Sequence, residues 1–216
     1  MVGISPLILL LLLILTGVSY RAFNDQILFN RLKFNIRAIQ NGAYYRLFTA
    51  AFIHVDFNHL LFNGFTLYVF GDNTLFGLGI VNFILLYLIS LFAGNLFALY
   101  YHRDNPYYSA VGASGAIIGV VYSCILMFPE MKLALIFLPI PFPAYVFGIG
   151  YLIYTVFGIR SQSDNIGHTA HFGGALGGIV ATILFRPEVI DKSFYTLMAM
   201  VGVTLVAGMY FFRKRN

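Results

Sequence analysis

The chain has 216 residues, 60% of them apolar and 10% charged, against about 25% charged in an average soluble domain. Thirteen Lys+Arg and eight Asp+Glu cannot coat a globule of this size, and a disordered chain needs the opposite balance, so a water-soluble fold and disorder are both excluded. The net charge of +5 is scattered apart from Arg213-Lys214-Arg215, which sits beside an apolar stretch as an interfacial anchor does, and no nucleic-acid partner is expected.

A membrane helix needs about 20 mostly apolar residues, and stretches free of Asp, Glu, Lys and Arg recur along the chain. Residues 1–20 lack a basic n-region and a clear cleavage site, and are read as a retained span. Residues 21–46 mix Arg21, Asp25, Arg31, Lys33 and Arg37 with Phe23, Ile27, Phe34 and Ile36, a pattern expected of an amphipathic segment in the interface. Further spans are expected at residues 57–71 (led in by 47–53), 73–102, 105–129, 133–159, 165–185 and 193–212. Pro139, Pro141 and Pro143 forbid continuous helix, so the fifth span starts near residues 142–144, with 133–138 as a short interfacial or re-entrant piece. Cys124, the single cysteine, lies in an apolar run and is expected to be a small core residue.

Polar residues inside such spans are functional candidates by default. Three groups qualify: His54, His59 and Asn63, of which the last two share a helical face; Gly112-Ala113-Ser114-Gly115; and His168-Thr169-Ala170-His171-Phe172-Gly173-Gly174. Each also has a structural reading. Gly115-xxx-Gly119 and Gly174-xxx-Gly178 suit close helix packing, and an intramembrane histidine serves as hydrogen-bonded glue. Together the groups supply a nucleophile, a base and oxyanion donors.

These pieces, with Tyr45-Arg46, come in the order found in the rhomboid intramembrane serine proteases, which the chain resembles over residues 21–185. The resemblance implies an all-α polytopic membrane protein: a rhomboid-like six-helix bundle plus one additional C-terminal transmembrane helix, the six-plus-one subtype. Residues 1–185 would be the catalytic domain, with 21–46 as its interfacial loop, and 186–216 a linker and the extra helix. It further implies that Ser114 is the nucleophile and His171 the general base. His59 and Asn63 would bind the oxyanion, and His54 and His168 would be supporting residues. The chain departs from the family pattern in three places. Tyr45 stands for the usual tryptophan, Ile118 for an aromatic that packs on the catalytic imidazole, and Leu75 for an acidic residue.

The chemistry matches the residue types. Ser114 at a helix start lies beside unpaired backbone N–H groups, Gly112 and Gly115 remove Cβ atoms where substrate and backbone approach, and the two Gly-xxx-Gly faces bring the fourth and sixth spans together. The nearest acid before His171 in sequence is Asp164, seven residues earlier, so a Ser–His dyad is expected, its imidazole oriented by packing. No cofactor or metal is expected. The implied substrates are single-pass transmembrane proteins, entering through a gate at the fifth span and residues 160–167, with residues 105–109 and 161–165 at the mouth of a hydrated cavity. The expected location is the cell (plasma) membrane. The resemblance puts the N-terminus in the cytoplasm, whereas counting Lys+Arg on that arrangement gives ten outside and three inside, favouring the reverse. Competing readings are a non-catalytic rhomboid-like protein that binds transmembrane clients and a metal- or haem-binding protein using His54, His59, His168 and His171.

Overall fold

A computed structural model describes residues 4–135, 138–161 and 166–212. Arg213–Arg215 and most of the expected cavity mouth at 161–165 lie outside the described residues. The first helix, α1 (Pro6–Phe23), opens with Pro6 in its first turn and with Ser5 accepting the Ile8 N–H. The segment between α1 and the next long helix folds as α2 (Gln26–Leu32), β1 (Phe34–Asn35), α3 (Ile36–Gln40), α4 (Arg46–Thr49) and a 3-10 turn, Ala50–Phe52. It is not simply an interfacial amphipath. Ile27 is exposed, but Phe34, Ile36 and Ile39 are buried in a small core of their own with Ala50 and Ala98. Arg46 tightens this segment by donating to the carbonyls of Asn30 and Lys33, both at 2.8 Å.

Helix α5 (Phe57–Tyr101) runs 45 residues. Unbroken, it would be about 68 Å long, more than twice the hydrocarbon thickness of about 30 Å. It breaks at Gly79 (φ 76°, ψ 167°), a backbone state open to glycine, and so makes two passes, residues 57–78 and 80–101. The expected break near Asp72 does not occur there. The Asp72 carboxylate accepts the Ser5 N–H at the start of α1 (3.1 Å), a position where a helix dipole favours a negative charge.

Strand β2 (Ser109–Ala110) pairs antiparallel with β1, and α6 (Ser114–Met127) follows. The fourth span is therefore shorter than the expected 105–129, because residues 105–113 form a loop whose last turn, Gly112, has φ 119°. Strands β3 (Lys132–Leu135) and β4 (Leu138–Pro143) pair antiparallel, placing a hairpin where a short interfacial or re-entrant piece is expected. The alternate prolines of β4 take N–H groups from one edge only, which a strand in a two-stranded hairpin tolerates. Helix α7 (Ala144–Ser161) begins as the prolines require, and α8 (His168–Phe185), α9 (Val189–Lys192) and α10 (Phe194–Phe212) complete the chain.

Among the described residues, α1, the two arms of α5, α7 and α8 are long and apolar enough to cross a membrane, and α6 and the stretch Phe194–Ala207 of α10 are shorter apolar helical segments. The protein is an all-α polytopic membrane protein. Helix α6 is its axis: every residue from Gly115 to Met127 is buried, against α5 and α8. Its last carbonyls are capped from beyond α8, Met127 by Lys192 Nζ (2.6 Å) and Leu126 by Ser193 Oγ (2.7 Å).

Candidate active site

Glycines decide how closely α6 and α8 approach. A Cβ built on Gly174 would strike the Gly115 backbone, one on Gly178 would strike the Cα of Gly119, and one on Gly115 would lie 3.3 Å from the Ala170 carbonyl. The pairings Gly115–Gly174 and Gly119–Gly178 advance together, so the helices run parallel and their N-terminal ends meet. Ser114 is the first residue of α6 and His171 lies in the first turn of α8. Backbone contact one residue beyond Ser114 brings its Oγ to 2.6 Å from His171 Nε2.

Nδ1 of the same imidazole lies 2.8 Å from the Tyr151 hydroxyl of α7. The ring is thus oriented by a hydrogen bond, where packing alone is expected from sequence. Tyr151 also supplies the aromatic neighbour that Ile118 cannot, its ring centroid 6.2 Å from that of His171 at 31°. Ile118 stays at the site as a wall of the cavity described below.

His59 lies against the loop before α6. A Cβ on Gly112 would stand 2.7 Å from His59 Cε1 and 2.8 Å from Nε2, so glycine there serves both the positive φ and the approach of the imidazole. Asp56 caps the helix by accepting the His59 N–H at 2.7 Å. One turn on, Asn63 Nδ2 donates to the His59 carbonyl (2.9 Å) and keeps a second N–H. His54 is wholly buried and packs edge-on against His59, centroids 4.9 Å apart. Ser19 gives its one hydrogen to the Phe52 carbonyl (3.1 Å), so at 2.8 Å it accepts from His54 Nδ1–H. Burial, reinforced by His59, pushes the His54 pKa down to about 3 and keeps the ring neutral.

His168 tucks against Gly158 of α7, where a Cβ would overlap its ring, and meets the Tyr154 ring edge-on at 5.1 Å. It joins α7 to α8. Sequence reasoning overlooked His102, which stacks on Tyr108 (centroids 3.6 Å apart, 10°); both reach Thr169 Oγ1, at 3.2 and 3.3 Å. These bonds pin the loop leading to Gly112 onto the first turn of α8. The signal was a histidine at the polar end of a span, where it reads as an interfacial residue.

Ser114, His171, Tyr151, His59 and Asn63 all face one cavity of about 1010 Å³. The four histidines His54, His59, His168 and His171 do not converge: among the described residues no three His, Cys, Asp or Glu side chains are grouped to hold a metal ion. The arrangement offers a serine with an imidazole on its hydroxyl, at the positive end of two helices, beside amide and imidazole donors.

The family model for the Rhomboid domain matches residues 41–188. The chain is 30% identical to RHOMBOID-like protein 12, mitochondrial, of Arabidopsis thaliana over 184 residues, 78% of this chain and 54% of that protein. It is 34% identical to Rhomboid protein 1, mitochondrial, of Saccharomyces cerevisiae over 137 residues, 61% of this chain and 39% of the yeast protein. It is also 37% identical over 92 residues, 42% of this chain and 45% of the other, to Bacillus subtilis YdcA, whose name proposes a rhomboid protease. The chain thus spans about half the length, or less, of the curated relatives it matches. The mitochondrial names correct the expected plasma-membrane location, while multi-pass insertion stands. A domain match over more than half the chain, on a polytopic helical bundle, makes this protein a member of the rhomboid family.

Proposed function

We propose that the protein is an intramembrane serine endopeptidase that cleaves single-pass transmembrane proteins through a Ser114–His171 dyad. The observation that carries this reading is the 2.6 Å contact between Ser114 Oγ and His171 Nε2 at a cavity inside an apolar bundle. Ser114 Oγ attacks the scissile carbonyl carbon while its proton passes to Nε2. The carbonyl electron pair moves onto oxygen, where the Ser114 backbone N–H, Asn63 and His59 donate to it. Each such donor is typically worth about 2.7–4 kcal/mol in the transition state. Collapse expels the amine, which takes the Nε2 proton. Water, deprotonated by the same nitrogen, then releases the acyl group and restores the serine. His54 and His168 support this arrangement by holding His59 and α7. Gly112 and Gly115 contribute by their missing Cβ atoms.

Residues 1–185 form the catalytic unit on this reading, and 186–216 an appended linker and helix. The mitochondrial names of two relatives support a mitochondrial membrane as the setting. The test is cleavage of a single-pass substrate by purified protein in liposomes, with fluorophosphonate labelling of Ser114. Ser114→Ala and His171→Ala are expected to abolish cleavage. Cleavage by both at the parental rate refutes the dyad, and absence of labelling at Ser114 favours a non-catalytic client-binding protein.

A further inference from the structure

To take the serine proton, His171 must present a lone pair at Nε2, so the hydrogen of the neutral ring has to sit on Nδ1. What lies at Nδ1 then decides whether the dyad is armed. At 2.8 Å it is a phenol oxygen, that of Tyr151, on a different helix from either dyad member. That oxygen is not there by chance of rotamer. One turn earlier, the Tyr122 hydroxyl of α6 donates to the Gly148 carbonyl (2.7 Å), fixing α7 against α6. Two turns later, His168 of α8 fills the notch at Gly158. Between these two fastenings the Tyr151 ring stacks on Phe147, with centroids 5.7 Å apart at 16°.

We propose that Tyr151 is the third member of the site, a positioning residue whose hydroxyl oxygen accepts the His171 Nδ1–H and so selects the tautomer that faces Ser114. The proposal rests on the dyad reading above. No proton moves to or from the phenol. It accepts a neutral hydrogen bond in the resting state and a charge-assisted one while the imidazolium exists. Being neutral, it does less than a carboxylate would, and its removal leaves a weakened dyad, not a dead one. Because the acceptor belongs to α7, the dyad reaches its full activity only with α7 seated on α6 and α8.

Tyr151→Phe keeps the ring and its stacking and removes the acceptor. The expected result is a fall in kcat of about three- to tenfold with KM unchanged, and an equal slowing of fluorophosphonate labelling at Ser114. Nitrogen NMR of protein labelled on histidine, with His171 assigned by the signal lost in His171→Asn, reads the tautomer directly. The parent should show the Nδ1–H form and Tyr151→Phe a mixture of forms. A parent ring protonated at Nε2 overturns the proposal without any variant. So does Tyr151→Phe with unchanged kcat, or with lower kcat but an unchanged tautomer, which would make Tyr151 a packing residue only. If instead Ser114→Ala keeps parental cleavage, the dyad reading itself has failed.

Discussion

Adding a single methyl group at Gly174 separates the contribution of the helix crossing from that of the proposed catalytic side chains. The Cβ of Gly174→Ala would lie 2.8 Å from the Gly115 carbonyl carbon and 3.0 Å from its Cα, with the carbonyl oxygen closer still, where ordinary contact begins at 3.4 Å. The obstacle is backbone, which cannot rotate aside as a side-chain tip can. Helix α8 must recede from α6 by roughly 1 Å to relieve it, at a cost of about 1–3 kcal/mol in stability. His171 sits three residues before Gly174 on the same rigid helix, so the 2.6 Å contact with Ser114 lengthens toward 3.5 Å, beyond a useful hydrogen bond. A misplacement of about 1 Å at reacting atoms costs on the order of a hundredfold in rate. The assay is kcat on a transmembrane substrate in liposomes, beside thermal unfolding in detergent, with Gly202→Ala as the control because nothing lies within 4 Å of its Cβ. If Gly174→Ala keeps parental kcat and stability while the control behaves the same, the glycine crossing does not set the dyad distance.

Gly112→Ala meets both a left-handed backbone (φ 119°) and the His59 ring at 2.7 Å, so it should cost about 1–3 kcal/mol in unfolding free energy and more than tenfold in kcat. Parental values for both would refute the placement of His59 on this turn. The pKa of His54, held near 3 against 6.5 for a free imidazole, means that between those pH values the unfolded chain binds a proton the folded one refuses. Stability therefore falls as pH drops from 6.5 toward 3, by up to about 1.4 kcal/mol per unit, and His102, held near 4, adds in the same direction. His54→Gln should flatten the pH dependence of the melting temperature between pH 6 and 4, and an unchanged slope would count against a buried neutral ring. Ser193→Ala strips the cap from the Leu126 carbonyl and should lower stability by about 1–2 kcal/mol, an effect a melting curve detects or excludes.

What could be read from sequence depended on contrast. Ser114, His59, Asn63 and His171 stood out because polar side chains are costly in an apolar chain, and the Gly-xxx-Gly pairs because small residues at that spacing make one helical stripe. Both signals converge on the α6–α8 contact. Tyr151 gave no such signal: it is one of 15 tyrosines in a chain that is 18% aromatic, and only the approach of α7 to α8 singles it out. The break in α5 was misplaced for a related reason. A carboxylate at position 72 looks like the end of a span until the start of α1, distant in sequence, is found to donate a backbone N–H to it. Residues 21–46 hid their small core similarly, since Phe34 and Ile36 meet Ala98 only after two membrane passes.

The length of α6 explains how the proposed site can exist inside such a bundle. Fourteen residues make about 21 Å of helix, roughly 9 Å short of the hydrocarbon core. Its C-terminal end is fastened near Lys192, Arg186 and Glu188, a charged cluster suited to one face of the membrane. The shortfall is thus gathered at the N-terminal end, below the opposite face, and that is where Ser114 stands. Irregular backbone at membrane depth is tolerated only where protein covers it or it lines a cavity, and both conditions are met here. Residues 105–113 are pinned by the β1–β2 pairing, the His102–Tyr108–Thr169 bonds and the Gly112 N–H to the Ala50 carbonyl (2.9 Å), and the rest of the space is the cavity. A full-length helix would bury its first-turn N–H groups in headgroups. A truncated one aims them, with a serine, into the cavity.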